Sequence, residues 1–486
     1  MSSAVRQLEP QGLWNNFANI NAIPRASKKE EEIIQYMMNF GQRLGLPTKK
    51  DHIGNVIITK PATSGMEDRK TIVLQSHLDM VHQKNNDTVF DFATEGIKMK
   101  VDNDWVRAEG TTLGADNGIG VATIMALLES DDIVHPPLEA LFTIDEETGM
   151  TGALELKGGL LTADIMLNLD TEDDDELTIG CAGGIDITAA GTYTPEPVPD
   201  TGYTGYSITV KGLSGGHSGM DIHKGLGNAN KLMNRILYAL HHSCNMKVAS
   251  IDGGSLRNAI PRESVAHIAV AAGHIGSMTS TIASITATLK DEYSYTDSDL
   301  TIEVQEVAVE KAMTRHEQGS LLAAIYATHN GIYRMSPDIS DLVQTSNNLA
   351  RVVVSEGSYS VLCLTRSSVD TEKMDLVNAI TAIYKLIGAE VTTGGSYPGW
   401  TPKPSSEIVS LMADLYRELF DSEPHVNACH AGLECGILGT NYPDMEMISF
   451  GPNIRGAHSP DERVQISSVQ KYWGYLLETL KRIPKK

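Results

Sequence analysis

Along the first 180 residues, short near-continuous apolar runs alternate with stretches whose apolar positions recur at helical spacing. Asn55–Thr59 and Thr71–Ser76, rich in β-branched residues, predict strands, and Glu139–Ile144 and Asp164–Leu169 predict two more. Glu31–Leu44 is amphipathic and is ended by Gly45 and Pro47, while Asn117–Leu128 reads as a further helix. Ser27-Lys28-Lys29-Glu30 has capping-box spacing, so the Ser27 hydroxyl and Glu30 carboxylate are expected to close the start of the Glu31 helix. Strands that are apolar on both faces and interleaved with helices predict a sheet covered on both sides. The expected class is α/β, a central mixed sheet flanked by helices. In such sheets ligands gather beyond the carboxyl ends of the strands.

Near Gly180-Cys-Ala-Gly-Gly184 the pattern changes. A strand (Tyr206–Lys211), a helix (Asn228–His242) and further strands and a helix come first. A second round has strands around Leu349–Val354 and Ser360–Leu364, a helix at Thr371–Leu386 and a strand at Ala389–Thr393. This predicts an inserted α+β domain of two similar halves. Gly394-Gly-Ser-Tyr-Pro-Gly-Trp400 reads as a return linker, and helices Ser406–Phe420 and Ser468–Lys481 bracket loops carrying His430 and His458. For His458 to join strand ends near the start of the chain, the first domain must be split by the insertion. The expected division is residues 1–186 and 394–486 for a catalytic domain and 187–393 for an inserted lid.

At 486 residues the chain exceeds what one hydrophobic core usually organises, in keeping with two domains. Its 41% hydrophobic and 21% charged residues exclude extensive disorder. A net charge of −23, with no basic cluster, disfavours nucleic acid and anionic membranes as partners. Arg6 and Glu9 fall where a secretory signal would be apolar, and no run approaches the roughly 18 uninterrupted apolar residues of a membrane span. Cys181, Cys244, Cys363, Cys429 and Cys435 lack paired spacing and read as reduced thiols, so a cytoplasmic location is expected.

Candidate chemistry lies at the strand ends. His77-Leu78-Asp79 closes one apolar strand, and alternate side chains of an extended segment share a face, so both can address one centre. Glu146-Glu147 follows a second strand and Asp170 a third. Asp116 sits in Gly114-Ala-Asp-Asn-Gly118, where it fits equally a cap for the helix starting near Asn117. His458, between Gly456 and Ser459-Pro460, has no local argument of its own. Two histidines with several carboxylates predict a hydrolytic site for two divalent metals. One glutamate of the 146–147 pair would bind metal and its neighbour stay available as a base. Thiolate ligation by Cys429 and Cys435 is disfavoured because no C-x-x-C occurs.

His77-Leu-Asp79, Gly114-Ala-Asp-Asn-Gly118, Asp145-Glu-Glu147, Asn168-Leu-Asp170, Gly215-Gly-His-Ser-Gly219, Arg257-Asn-Ala-Ile-Pro261, His430-Ala-Gly-Leu-Glu-Cys-Gly436 and Ala457-His-Ser-Pro-Asp461 together resemble the co-catalytic dizinc peptidases that include carnosinases. The resemblance implies a zinc-peptidase catalytic domain with a lid, acting on small unblocked dipeptides, Xaa-His types among them. A related N-acyl amino acid deacylase or carboxypeptidase on the same scaffold is the alternative. It implies that His77 and Asp170 hold one metal, that Glu147 and His458 hold the other, and that Asp116 bridges them. Zn²⁺ would be the metal, with Co²⁺ or Mn²⁺ as substitutes. Asp79 would orient His77, Glu146 would be the general base, and a cis peptide would follow Asp116. It further implies substrate-binding roles for His217, Asn258 and Arg366, and a homodimer. His217 and Arg366 have plain alternatives as a loop residue and a strand-end surface charge. Glu434 and His430 stand as unassigned candidates for meeting the substrate's amino group.

Overall fold

The computed structural model describes residues 2–486. The chain divides into two compact units, one of residues 2–180, 400–428 and 433–486, the other of residues 181–399 and 429–432. The cuts fall a few residues outside those expected from composition, because the strand Gly183–Thr192 starts before residue 187 and the strand Glu390–Tyr397 runs past residue 393. The stretch read as a return linker is thus strand as far as Tyr397.

The first unit is built on an eight-stranded sheet in the order Thr48–Lys50, Val56–Lys60, Leu138–Thr143, Ile72–His77, Ile165–Asn168, Glu446–Ser449, Glu176–Cys181, His425–Cys429. The four central strands, Leu138–Thr143 to Glu446–Ser449, run parallel, and their outer neighbours Val56–Lys60 and Glu176–Cys181 pair antiparallel, so the sheet is mixed as expected. Every residue of Ile72–His77, Leu138–Thr143 and Ile165–Asn168 is buried, which is why these segments carry no alternation of polar positions. Parallel pairing sends their carboxyl ends to one edge, and His77, Asp145-Glu146-Glu147 and Asp170 follow there in sequence.

The capping box does not form. The helix Glu31–Arg43 has Glu30 as its N-cap without a side-chain cap bond. Ser27 Oγ donates instead to Asp79 Oδ2 at 2.7 Å, and Glu30 Oε1 accepts from the Asp145 amide at 2.9 Å. A charged acceptor and a buried amide outcompete the helix start for both groups.

The second unit is built on a nine-stranded antiparallel sheet, eight strands of which form two βαββαβ halves, with Gly331–Met335 added against Val343–Ser355. One half comprises strands Tyr203–Lys211, Met246–Gly254, Ser264–Ala271 and Thr301–Glu306 with helices Ala229–Ser243 and Ile275–Glu292. The other comprises strands Gly183–Thr192, Val343–Ser355, Ser358–Ser367 and Glu390–Tyr397 with helices Arg315–Ala327 and Asp370–Leu386. Each half orders its strands fourth, first, third, second, and the two second strands pair to make one continuous sheet. The halves are nested rather than consecutive: the outer half's first strand precedes the whole inner half. The four helices and the sheet share one apolar core that includes Ile187, Ile208, Leu237, Leu322 and Ile380.

Candidate active site

His77 is fully buried at the end of its strand. Its Nδ1 lies 3.2 Å from the Asp79 carbonyl oxygen and 3.3 Å from Asp79 Oδ1, and its Nε2 lies 3.2 Å from Asp116 Oδ1 and 3.5 Å from Asp170 Oδ1. The other oxygen of Asp116 meets His458 Nε2 at 3.0 Å, and the same nitrogen is 3.0 Å from Glu147 Oε2. Asp116 therefore joins two clusters, His77–Asp116–Asp170 and Asp116–Glu147–His458, each with its potential ligand atoms within 4.8 Å of one another. Geometry also groups His77 with Glu146 and Glu147. Asp116 lies at the start of the helix Ala115–Glu129, but its backbone is not helical and its oxygens face the two imidazoles, so it does not act as a cap. The Asp116–Asn117 peptide is cis, as the resemblance implies.

Asp79 braces more than His77. Its carboxylate accepts from the Ser27 hydroxyl and from the amides of Glu146 and Glu147 at 3.0 and 3.2 Å. Burial alone would raise its pKa, yet the hydrogen bond and charge of His77, with these donors, pull it down to about 2. Burial pushes Glu146 well above the usual carboxylate range; His77 opposes this, while Asp170, Glu434 and Glu147 add to it. Burial likewise lifts Asp170 to about 6 and Glu172 to about 8. Hydrogen bonds to Asp116 and Glu147 raise His458 to about 11.

Two supporting residues were not legible in the sequence. Glu462 accepts from the amides of Leu113, Gly114, Ala115 and Asp116 at 2.7 to 3.2 Å, clasping the turn that presents Asp116. Arg25, buried, donates to the carbonyls of Leu78, Asp79 and Gly114. Both act on backbone atoms, so no spacing of side-chain types announces them; the proximity of Glu462 to His458 in sequence is the only cue. Glu434 lies below the strand ends, where Oε2 accepts from Gln75 Nε2 and Thr143 Oγ1, each at 2.6 Å.

His217, Asn258 and Arg366 all belong to the second unit. His217 pairs with Ala259 in a short ladder, and the Asn258 carbonyl accepts from the Ser218 amide, so the first two are neighbours. A Cβ placed on Gly219 would lie 3.2 Å from both His217 Cε1 and Arg366 Nε and 2.1 Å from the His430 carbonyl oxygen. His217, Arg366 and His430 thus meet around Gly219, with Asn258 adjoining through its backbone. His217 Nδ1 accepts from the amides of Gly219 and Met220, which leaves Nε2 as the protonated nitrogen of the neutral ring. Arg366 is buried rather than a surface charge, and His430 Nε2 bonds Ser346 Oγ at 2.7 Å.

The donor set fits divalent cations. Carboxylates outnumber cationic groups at the cluster, and the buried oxygens Glu147 Oε1 and Asp170 Oδ1 have no hydrogen-bond partner. Carboxylate oxygens with imidazole nitrogens suit Zn²⁺, Mn²⁺ or Co²⁺. The parallel strand ends of one α/β unit thus bring two such clusters onto one shared aspartate. Residues 73–482 match Peptidase family M20/M25/M40, and the chain belongs to that family. It is 44% identical over 485 residues, all of both chains, to the Escherichia coli (strain K12) protein named cytosol non-specific dipeptidase. The crystal structure of aminoacylhistidine dipeptidase from Vibrio alginolyticus superposes with a TM-score of 0.94 at 42% identity, covering 99% of this chain and 98% of that one. Aminopeptidase PepT from Bacillus cereus shares the fold, with a TM-score of 0.57 at 15% identity over 98% of this chain and 99% of that one. The chain is therefore a peptide-bond hydrolase.

Proposed function

We propose that the protein hydrolyses unblocked dipeptides, Xaa-His types among them, with two divalent cations and Glu146 as general base. The observation that carries this reading is Asp116, which faces His77 with one oxygen and His458 with the other. The names of the Escherichia coli and Vibrio relatives support dipeptides as the substrate class. His77 and Asp170 would hold one cation, Glu147 and His458 the other, and Asp116 both, with Zn²⁺ preferred. Bound there, the cations lower the pKa of the attacking water and offset the charge that develops on the carbonyl oxygen.

The protein's own groups carry the protons. Glu146 accepts one as water attacks the scissile carbon and returns it to the amine nitrogen as the C–N bond breaks. Asp79 fixes the His77 ring and, through two amides, the segment that presents Glu146. His217 Nε2–H is the further donor for the oxyanion, since its Nδ1 is already occupied as an acceptor. Arg366 receives the substrate's C-terminal carboxylate, and Asn258 adds a polar contact. The test is a panel of unblocked dipeptides and N-acyl amino acids, each with and without chelator. Chelator-sensitive turnover of unblocked dipeptides is expected; preference for N-acyl amino acids would contradict the proposal.

A further inference from the structure

Arg366 and Tyr397 stand on either side of Gly184 in the sheet of the second unit. Gly184, in the strand Gly183–Thr192, pairs with Arg366 on one side and with Tyr397 on the other. A Cβ at position 184 would fall 2.7 Å from Cε1, Cζ and the hydroxyl oxygen of Tyr397. The phenol thus lies across bare backbone, and its oxygen accepts from Arg366 Nη1 at 2.7 Å. Tyr397 reaches this register through an irregularity, since Gly394 pairs with Asp186 and the next pair is Tyr397 with Gly184. Its carbonyl oxygen accepts from Lys373 Nζ at 2.6 Å, and Lys373 is itself ion-paired to Asp370. Backbone and ring are both held.

The guanidinium is tied at one corner only. Arg366 is 5% exposed, Nη1 is engaged by Tyr397, and Nε is buried without a partner. Nε–H and the outer Nη–H point the same way, the edge that matches a carboxylate in a two-bond grip. Burial raises the Tyr397 hydroxyl above its usual range, against the opposing charge of Arg366, so the phenol stays neutral and does not take the place of an anion.

We propose that Tyr397 is a positioning residue for substrate recognition: by holding Nη1 across Gly184, it presents the Nε edge of Arg366 to the C-terminal carboxylate of the dipeptide. Gly184 is part of the device, because any larger residue there displaces the phenol. The proposal rests on the assignment of Arg366 to the carboxylate.

The experiment compares a dipeptide with its C-terminal amide as substrates for the metal-loaded wild type and for Tyr397→Phe, Gly184→Ala and Arg366→Ala. Tyr397→Phe keeps the ring and removes only the acceptor. It is expected to raise KM for the acid about tenfold at near-normal kcat, while the amide is little affected. Gly184→Ala should reproduce that acid-selective loss, and Arg366→Ala should all but abolish the preference for acid over amide. If Arg366→Ala is acid-selective but Tyr397→Phe matches wild type, or loses acid and amide alike, the role of Tyr397 is wrong and that of Arg366 stands. If Arg366→Ala shows no acid selectivity, the carboxylate assignment fails and the proposal falls with it.

Discussion

Glu146 and Glu147 share His77 and Asp79 as neighbours but differ in their contact to the second imidazole. Glu147 reaches His458 at 3.0 Å, whereas Glu146 is a half-buried carboxyl with raised proton affinity. Glu146→Gln is accordingly expected to keep its metal content while kcat falls at least about 10²-fold; wild-type turnover would remove it from the mechanism. His430 supports a prediction of a different kind. Burial holds it largely neutral, with its pKa lowered to about 3, below its unfolded value. Its contribution to stability is complete above the unfolded pKa and declines as pH falls below it, because the unfolded chain then binds the proton more readily. Between pH 7 and pH 5 the wild type should lose on the order of 2 kcal/mol relative to His430→Asn, read from urea unfolding. Parallel curves for the two proteins would show that His430 does not contribute in this way. His77, Asp79, Asp170 and the glutamate pair were legible because each lies at or just beyond the end of a segment that reads as a buried strand. Arg25 and Glu462 were not, because they grip carbonyls and amides of the same turns.

Close packing of the helix Ala115–Glu129 on the strand Ile72–His77 depends on Gly120. A Cβ there would lie 2.3 Å from Ser76 Oγ, 2.7 Å from Asn117 Oδ1 and 2.8 Å from the Leu169 carbonyl oxygen. Helix propensity alone favours Gly120→Ala by up to about 1 kcal/mol. Overpacking at a helix–sheet contact costs about 1–3 kcal/mol, and here it dominates. Gly120→Ala is therefore expected to lower the urea midpoint and weaken metal binding, since Ser76 adjoins His77 and Asn117 adjoins Asp116. A raised midpoint would contradict that. Element type was legible where hydrophobic period and length agreed, as in Asn228–His242, observed as Ala229–Ser243. The strand Gly183–Thr192 escaped notice because its Gly-rich start resembles a loop, and with it went the nesting of the two halves. The continuation of Glu390–Tyr397 through Gly394-Gly395 escaped for the same reason, since strand pairing there is imposed by Gly183–Thr192 rather than by local preference.

For the whole chain, His217 and Arg366 meet in the second unit with Asn258 adjoining through its backbone, which bears on the role a homodimer would have. On the proposed reading such a dimer is structural, so mixing subunits of Glu146→Gln with subunits of His217→Ala should restore no activity. Substantial recovery would show His217 acting across subunits. No helix among the described residues is long and apolar enough to cross a membrane. Of the proposed metal ligands, His77, Glu147 and Asp170 follow strands paired in one sheet and Asp116 lies on a turn clasped by Glu462, while His458 lies on a loop, so most of the set is held by the fold rather than by the cations. The metal-free protein should therefore keep its far-ultraviolet dichroism and remain cooperative in unfolding. The most direct measurement is a Zn²⁺ titration of chelator-stripped protein, following hydrolysis of an Xaa-His dipeptide and counting ions per chain by atomic emission. Activity absent without metal and reaching its plateau at two ions per chain is the predicted result. Full activity at zero ions or at one would contradict a site organised around Asp116 as the shared ligand.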